Sequence, residues 1–428
     1  MRTMRTIRTL FLALSPQGFG ETLIGLALAD QLVSAGVTSH FIVEETARTI
    51  LAGRGHEFDV IEPGMGKLAG LIVDDVVQRF RPDVIILADY FTYVTISVRY
   101  QVDPWFIERY GIPVVPIDIW EWGGTDFVVD IAGDYVYRAS ERFRSLPASL
   151  RPVPLAHLEP DDAGHARPFR VGTGEEPLSA RARSRLRSSL GVGEQDRLVL
   201  IATARWQVTS DAAYSQAASS VAAGVPPMVT HYLEQLPPRT RFLLIGEISP
   251  AWSGLPADRT HAARPCPQQE FGALLQAADA VLSLNLGGTT VWRAVMSGVP
   301  AMVLGNSYRL RDVTDIDRAD ALAGGFTDFV RDAVSEVVPL HPFRMWPLGF
   351  FSFLRPLLAG NPYAEAVAQA EVLDERAVVD GLADLLYDDG YRAARIAAQD
   401  DYAGQVLALP PTGEVFTAMA AQLGITVG

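Results

Sequence analysis

The run Gly287-Gly288-Thr289-Thr290 carries the residue types and order in this chain that best suit chemistry. Two glycines let a backbone come close to a ligand, and threonines at a helix start add hydroxyl and free amide donors. With the positive end of the helix dipole behind them, such donors suit a phosphate. Arg205 follows the apolar run Leu198 to Ala202, where it can reach such a phosphate or form a surface ion pair. Asp89 and Asp118 lie at or just past two further apolar runs, Val84 to Ala88 and Val114 to Ile119. That is where open α/β sheets bind ligands. Trp120 and Trp122, flanking Glu121 and followed by Asp126, offer aromatic faces that suit sugars, bases or polyketide rings; ordinary loop packing is the other reading.

The elements that must position these residues read as strand, turn and helix in repetition. Ile7 to Leu14 is apolar, the turn residues 15–20 follow, and Glu21 to Ala35 carries Leu23, Leu26, Ala27 and Leu32 at helical spacing. Gly36 stands at the helix C-cap position. Further buried strands are expected at His40 to Val43, Asp83 to Ala88 and Val114 to Ile119. The pattern restarts at Leu198 to Ala202, Arg241 to Ile245, Ala280 to Leu284 and Ala301 to Leu304. Short apolar strands alternating with helices predict α/β architecture with parallel sheets covered on both faces. A proline-rich stretch from Arg144 to Gly193 separates the halves, so two Rossmann-like domains facing a cleft are expected. The expected division is residues 1–165, a linker at 166–195, a second domain at 196–400 and a helical tail at 401–428. His341 to Phe351, dense in aromatics and proline, reads as an insertion packed on the body, with a lid or an apolar acceptor wall as the alternative.

Composition narrows the partners. With 49% hydrophobic and 20% charged residues the chain is globular, and at 428 residues it is long enough for two cores. A net charge of -14 repels polyanions at long range, so nucleic acid is excluded as a partner. The single Cys266 forbids an intrachain disulfide, and seven histidines without ligand spacing indicate no metal. No apolar stretch reaches the ~20 residues that span a bilayer, and the start of the chain reads as a basic tail leading into a strand. A cytoplasmic protein is expected, its oligomeric state left open, with a homodimer as one option. No G-x-S-x-G elbow or Walker loop is present, and Gly18-Phe19-Gly20 lacks the third glycine of the dinucleotide fingerprint.

The order Arg264-Pro265-Cys266-Pro267-Gln268-Gln269, Leu274-Leu275, Ala278-Asp279, Gly287-Gly288-Thr289-Thr290 and Gly298-Val299-Pro300 resembles the donor-binding segment of GT-B nucleotide-sugar glycosyltransferases of the natural-product and cell-wall type. The resemblance implies a glycosyltransferase that moves a sugar from a nucleotide diphosphate, UDP for instance, to a small-molecule acceptor. It implies inversion, with the nucleotide sugar as co-substrate, no other cofactor and no metal. It places Pro267 and Gln268 beside the base, Gly287, Gly288, Thr289 and Thr290 on the diphosphate, with Arg205 in support, and Asn306 toward the donor sugar. Gly18, Gly20 and Glu21 resemble the glycine-rich first loop of the same enzymes, in which a histidine often stands where Glu21 does. Glu21, Asp89 and Asp118 are thus the candidate bases, and Gly18, Gly20, Trp120 and Trp122 the acceptor contacts. A first-turn glutamate stabilised by the helix dipole is the other reading of Glu21. The chain departs from the family at Leu286, where a histidine commonly precedes the two glycines. That departure leaves open a non-standard donor or a non-catalytic homologue that binds a ligand or partner; a sugar-nucleotide epimerase or hydrolase, in which water replaces the acceptor, is the rival from the same fold. A bacterial secondary-metabolite role, and kinship with cytosylglucuronic acid synthases, are further expectations from the resemblance.

Overall fold

The computed structural model describes residues 6–15, 20–62, 64–131, 135–161, 164–204, 207, 216–246, 252 and 254–425. The chain divides into two compact units. The first comprises Met1–Phe127, Ala139–Gly172 and Gln405–Gly428, and the second Val128–Arg138 and Thr173–Gly404.

The first unit is built on a parallel sheet of β1 (Ile7–Ala13), β2 (Val37–Glu44), β3 (Glu57–Ile61), β4 (Val84–Leu87) and β5 (Val114–Pro116). Its order is β3-β2-β1-β4-β5. Nearly every residue of β1 and β4 is buried, because helices cover both faces of a doubly wound sheet. The helix Gly20–Val33 follows β1, and Gly25 lets it approach Phe11, Phe41 and Ala88 closely. The strand order reverses between β1 and β4, and the crevice at their carboxyl ends is the usual ligand position in such a sheet. Two strands not expected from sequence, β8 (Ser149–Val153) and β9 (Ala166–Arg170), pair in parallel. They join the sheet edge where the Asp118 amide donates to the Leu150 carbonyl at 2.7 Å. The helix Thr412–Gln422 closes the unit: the Thr412 hydroxyl meets Gln31 at 2.7 Å, and the Gln31 amide donates to the Arg170 carbonyl at 2.8 Å.

The second unit repeats the plan with β10 (Arg197–Thr203), β11 (Thr240–Gly246), β12 (Thr260–Ala263), β13 (Ala280–Ser283), β14 (Ala301–Gly305) and β15 (Ala368–Glu371). The order β12-β11-β10-β13-β14-β15 puts its reversal between β10 and β13. The core gathers Val199, Ile201, Phe242 and Leu282 from the sheet with Met228, Tyr232 and Leu382 from the covering helices. The hairpin of β6 (Val128–Ile131) and β7 (Tyr135–Arg138) leaves the first unit's chain and belongs with this unit. The Asp130 carboxylate accepts from the amides of Phe351, Ser352 and Phe353 at 2.9–3.1 Å and so fixes the aromatic segment. That segment is an integral part of the fold, bridged at Asn285↔Met345, Asn306↔Phe343 and Leu310↔Leu340. The expected linker at 166–195 is divided: 166–172 lies in the first unit and 173–195 in the second, while the tail from Gln405 returns to the first.

Gly174 illustrates how tightly the second unit is joined. Its φ is +89°, and a Cβ there would overlap the carbonyl oxygen of Met296 at the end of the helix Thr289–Met296. Gly174→Ala therefore carries both left-handed strain and a backbone clash. It is expected to destabilise by more than ~2 kcal/mol in denaturant unfolding followed by tryptophan fluorescence, whereas Gly404→Ala, with open space at its Cβ, stays within ~0.5 kcal/mol.

Candidate functional site

In the second unit, β13 runs through Leu284-Asn285-Leu286 into Gly287-Gly288, and the helix Thr289–Met296 opens with Gly288 as its N-cap. Gly288 has φ -70° and ψ 137°, so positive φ is not its requirement. A Cβ on it would lie 3.2 Å from the Asn285 carbonyl, so the turn itself needs the space. The Gly288 amide donates to Asn285 at 3.3 Å, and the Val291 amide to Gly288 at 2.9 Å. Among the described residues nothing accepts from the amides of Gly287, Thr289 and Thr290, all of which are half-buried. Free amides at the positive end of a helix, past a strand of a doubly wound sheet, are of the kind that suits an anion.

The helix is held in place from behind. Arg293, buried, donates to Glu175 at 2.6 Å and to the Gln268 carbonyl at 3.1 Å, and its guanidinium lies 4.5 Å from the Phe271 ring centre. It thereby joins the helix to the start of the helix Gln268–Ala277, whose N-cap is Pro267. Pro267 and Gln268 are exposed at this end. Leu286, where the glycosyltransferases that this segment resembles commonly carry histidine, is fully buried; its amide donates to the Arg344 carbonyl at 3.1 Å and its carbonyl accepts from the Tyr363 hydroxyl at 2.9 Å. This position is apolar, and its backbone needs no ligand.

Asn306 is a correction to the expected donor contacts. It is fully buried, its side-chain amide donates to the carbonyls of Tyr308 and His341 at 2.8 and 2.9 Å, and its oxygen accepts from the Tyr308 amide at 3.0 Å. Its polar atoms are spent tying the loop after β14 to the aromatic segment. Arg205 and Gly18 lie outside the described residues.

In the first unit, three carboxylates meet at the strand-end edge. Gly20 opens the helix after β1, and Glu21 in its first turn accepts from the Ser15 hydroxyl at 3.0 Å. Asp89, past β4, accepts from the Thr92 amide at 2.7 Å and hydroxyl at 2.6 Å, capping the helix Tyr90–Arg99; its other oxygen is buried without a partner. Burial, then the Glu21 charge, and more weakly Asp118, push the Asp89 carboxyl up to about 7 against those Thr92 bonds. Asp118, past β5, accepts from the Trp122 amide at 3.1 Å and is pushed up to about 7 chiefly by burial, with the Glu121 charge adding and Arg151 opposing. Both aspartates are 3% exposed.

Trp122 is the second correction. It is fully buried, with Phe91 and Phe127 stacked at 6.0 and 6.4 Å and Tyr90 edge-on at 5.6 Å, so its faces are covered by protein rather than offered to an acceptor. Trp120, 6% exposed, is likewise packed inside. Sequence reasoning missed the partner of Glu121. His157, past the end of β8, donates its amide to Glu121 at 2.6 Å and sets its ring Nδ1 2.9 Å from the same carboxylate. The signal was a lone histidine in a proline-rich stretch, 36 residues from its partner. Among the described residues no group of three or more histidine, cysteine, aspartate or glutamate side chains stands close enough to hold a metal, and no helix is long and apolar enough to cross a membrane.

A family model described as a family of unknown function, DUF6365, matches residues 28–424. No curated protein matches the chain in sequence. Among solved structures it is similar to Anabaena Alr3699/HepE in complex with UDP-glucose, at 13% identity and TM-score 0.57 over 98% of this chain and 100% of that one. It is similar to the spinosyn rhamnosyltransferase SpnG at 15% identity and TM-score 0.54, over 96% and 100%. A putative UDP-N-acetylglucosamine 2-epimerase from Listeria monocytogenes matches at 13% identity and TM-score 0.54, over 99% and 98%. At these identities the likeness shows the fold, which is GT-B.

The raised carboxyls make stability depend on pH in a stated direction. A carboxyl with a folded value near 7 and an ordinary unfolded value binds more protons when folded between about pH 4 and 7, so stability falls as pH rises through that window. Asp89→Asn keeps a capping oxygen and has no charge to bury. It is expected to gain on the wild type by up to ~1.4 kcal/mol per pH unit across that window, read by urea unfolding at pH 5 and 7.5. Equal pH slopes for the two proteins would show that Asp89 is not the group that titrates.

Proposed function

The chain belongs to the DUF6365 family, and we propose that it is a metal-independent glycosyltransferase that moves a sugar from a nucleotide-diphosphate sugar to a small-molecule acceptor. The observation that carries this reading is the set of free amides at Gly287, Thr289 and Thr290, aimed past β13 at the start of a helix. As the bond between the anomeric carbon and the diphosphate breaks, negative charge grows on the departing oxygens. Fixed amides stabilise that charge without reorganising. Attack from the opposite face inverts the carbon. Pro267 and Gln268, exposed at the neighbouring helix start, are the groups for the nucleotide base.

In the first unit, Glu21, Asp89 and Asp118 at the strand-end edge are the carboxylates this reading offers as bases for the acceptor's proton. Gly20 opens the helix at this edge for close approach. A uridine nucleotide is supported by the UDP-glucose complex of the Anabaena neighbour, and a secondary-metabolite acceptor by the spinosyn rhamnosyltransferase. The similarity to a putative UDP-N-acetylglucosamine 2-epimerase supports a second reading, in which water replaces the acceptor. Free sugar and nucleoside diphosphate released without acceptor, faster than any transfer, would favour it.

A thermal-shift titration tests the donor site. UDP at a hundred times its Kd should add ~2.7 kcal/mol of native-state stability. Gly288→Glu, which crowds the Asn285 carbonyl and sets a carboxylate against the phosphates, should abolish the shift. If no nucleoside diphosphate raises the melting temperature of the wild type, the proposed function fails.

A further inference from the structure

Glu121 has a backbone conformation that its residue type disfavours. Its φ is 47° and its ψ 58°, in the left-handed region, at the N-cap of the short turn Trp122–Gly124. Holding a non-glycine residue there costs on the order of 1 kcal/mol, so the surroundings must over-determine it. They do. One carboxylate oxygen accepts from the His157 amide at 2.6 Å, and the other stands 2.9 Å from His157 Nδ1 and 3.6 Å from an Arg151 nitrogen. The Glu121 and Arg151 side chains are only 12% and 13% exposed, and that of His157 is 28% exposed.

An ionised carboxylate only accepts hydrogen bonds, so the proton of a neutral His157 ring must sit on Nδ1. The lone pair is then on Nε2, for which no partner is found among the described residues, on a side chain that is 28% exposed. His157 follows β8 and Glu121 follows β5, and these strands meet at Ile117↔Leu150. The pair therefore stands on the same strand-end edge as Glu21, Asp89 and Asp118. Those aspartates are nearly inaccessible and serve as caps; the histidine is accessible and oriented.

We propose that His157 Nε2 is the base that takes the acceptor's proton, with Glu121 as its positioning residue. This rests on the transfer reading and assigns to an imidazole the step the sequence had suggested for carboxylates. In that step the acceptor O–H bond breaks and its proton passes to Nε2. The freed oxygen pair forms the new bond to the anomeric carbon, and the pair of the broken carbon–oxygen bond leaves with the nucleoside diphosphate. Glu121 stabilises the resulting imidazolium, and an Arg151 nitrogen stands 3.6 Å from the same carboxylate.

The bland alternative is a tether that joins two loops. His157→Asn separates the two, because its side-chain amide can still donate to Glu121 but has no basic nitrogen. Nucleoside diphosphate release would be followed with a panel of UDP-, TDP- and GDP-linked sugars, each with and without a panel of hydroxylated aromatic and sugar acceptors, alongside the UDP thermal shift. The expected result is at least a 100-fold loss of turnover in His157→Asn with the UDP shift retained, and partial recovery of His157→Ala by free imidazole. If the Asn variant loses the UDP shift through misfolding, the imidazole response of His157→Ala decides. Turnover in His157→Asn within threefold of the wild type, or no response to imidazole, would overturn the proposal and leave the transfer reading standing. A wild type that releases nucleoside diphosphate from none of the panel overturns both.

Discussion

The whole arrangement depends on one topological constraint: in each sheet the chain winds outward in one direction from the central strand and then in the other. β1 lies between β2 and β4, and β10 between β11 and β13. Parallel strands force every connection back across a face of the sheet, so all carboxyl ends come out on one edge. At the reversal the two neighbouring connections depart to opposite faces and leave backbone ends uncovered. The residues with chemical potential stand at or next to such ends: Glu21 after β1, Asp89 after β4, Asp118 and Glu121 after β5, His157 after β8, and Gly287 to Thr290 after β13.

The two edges are built for opposite charges. The second unit offers backbone amides and a helix dipole, a fixed positive potential that needs no cationic side chain. The first gathers carboxylates whose burial and mutual repulsion lift two of them to about 7. Such a cluster costs folding free energy, which the surrounding aromatic packing of Trp122, Tyr90, Phe127 and Phe143 helps to offset. Leu286 fits this division. With its amide and carbonyl satisfied by Arg344 and Tyr363, the turn is held by protein alone, and its free amides lie one residue further on.

Much of this was legible in the sequence, for a physical reason. Strands buried on both faces are near-continuous apolar runs, so β1, β4, β10, β11, β13 and β14 could be read directly, and with them the strand ends. Exposed or short strands such as β3 and β12, with burial on one side or neither, carry no such run. The excursion of β6 and β7 into the second unit was not legible, since its docking depends on Asp130 meeting amides 221–223 residues away. Asn306 and Trp122 failed as ligand contacts for a related reason: position past a strand end is a local property, whereas the direction of a side chain is settled by partners such as His341 and Phe127.

The same reasoning separates Glu121 from its neighbours. A glutamate between two tryptophans looks like part of a binding wall, and both tryptophans turn inward. What remains accessible is the histidine that the glutamate holds, marked in the sequence only by its place in a proline-rich stretch. The observation that identifies the pair is the left-handed φ at Glu121. The conformation is disfavoured in isolation, and a relaxed backbone would turn the carboxylate away from the His157 amide and ring. A mere loop tether has many cheaper solutions among ordinary turns. A carboxylate that must grip both the backbone and one ring nitrogen of the same histidine, and leave the other nitrogen free, has few.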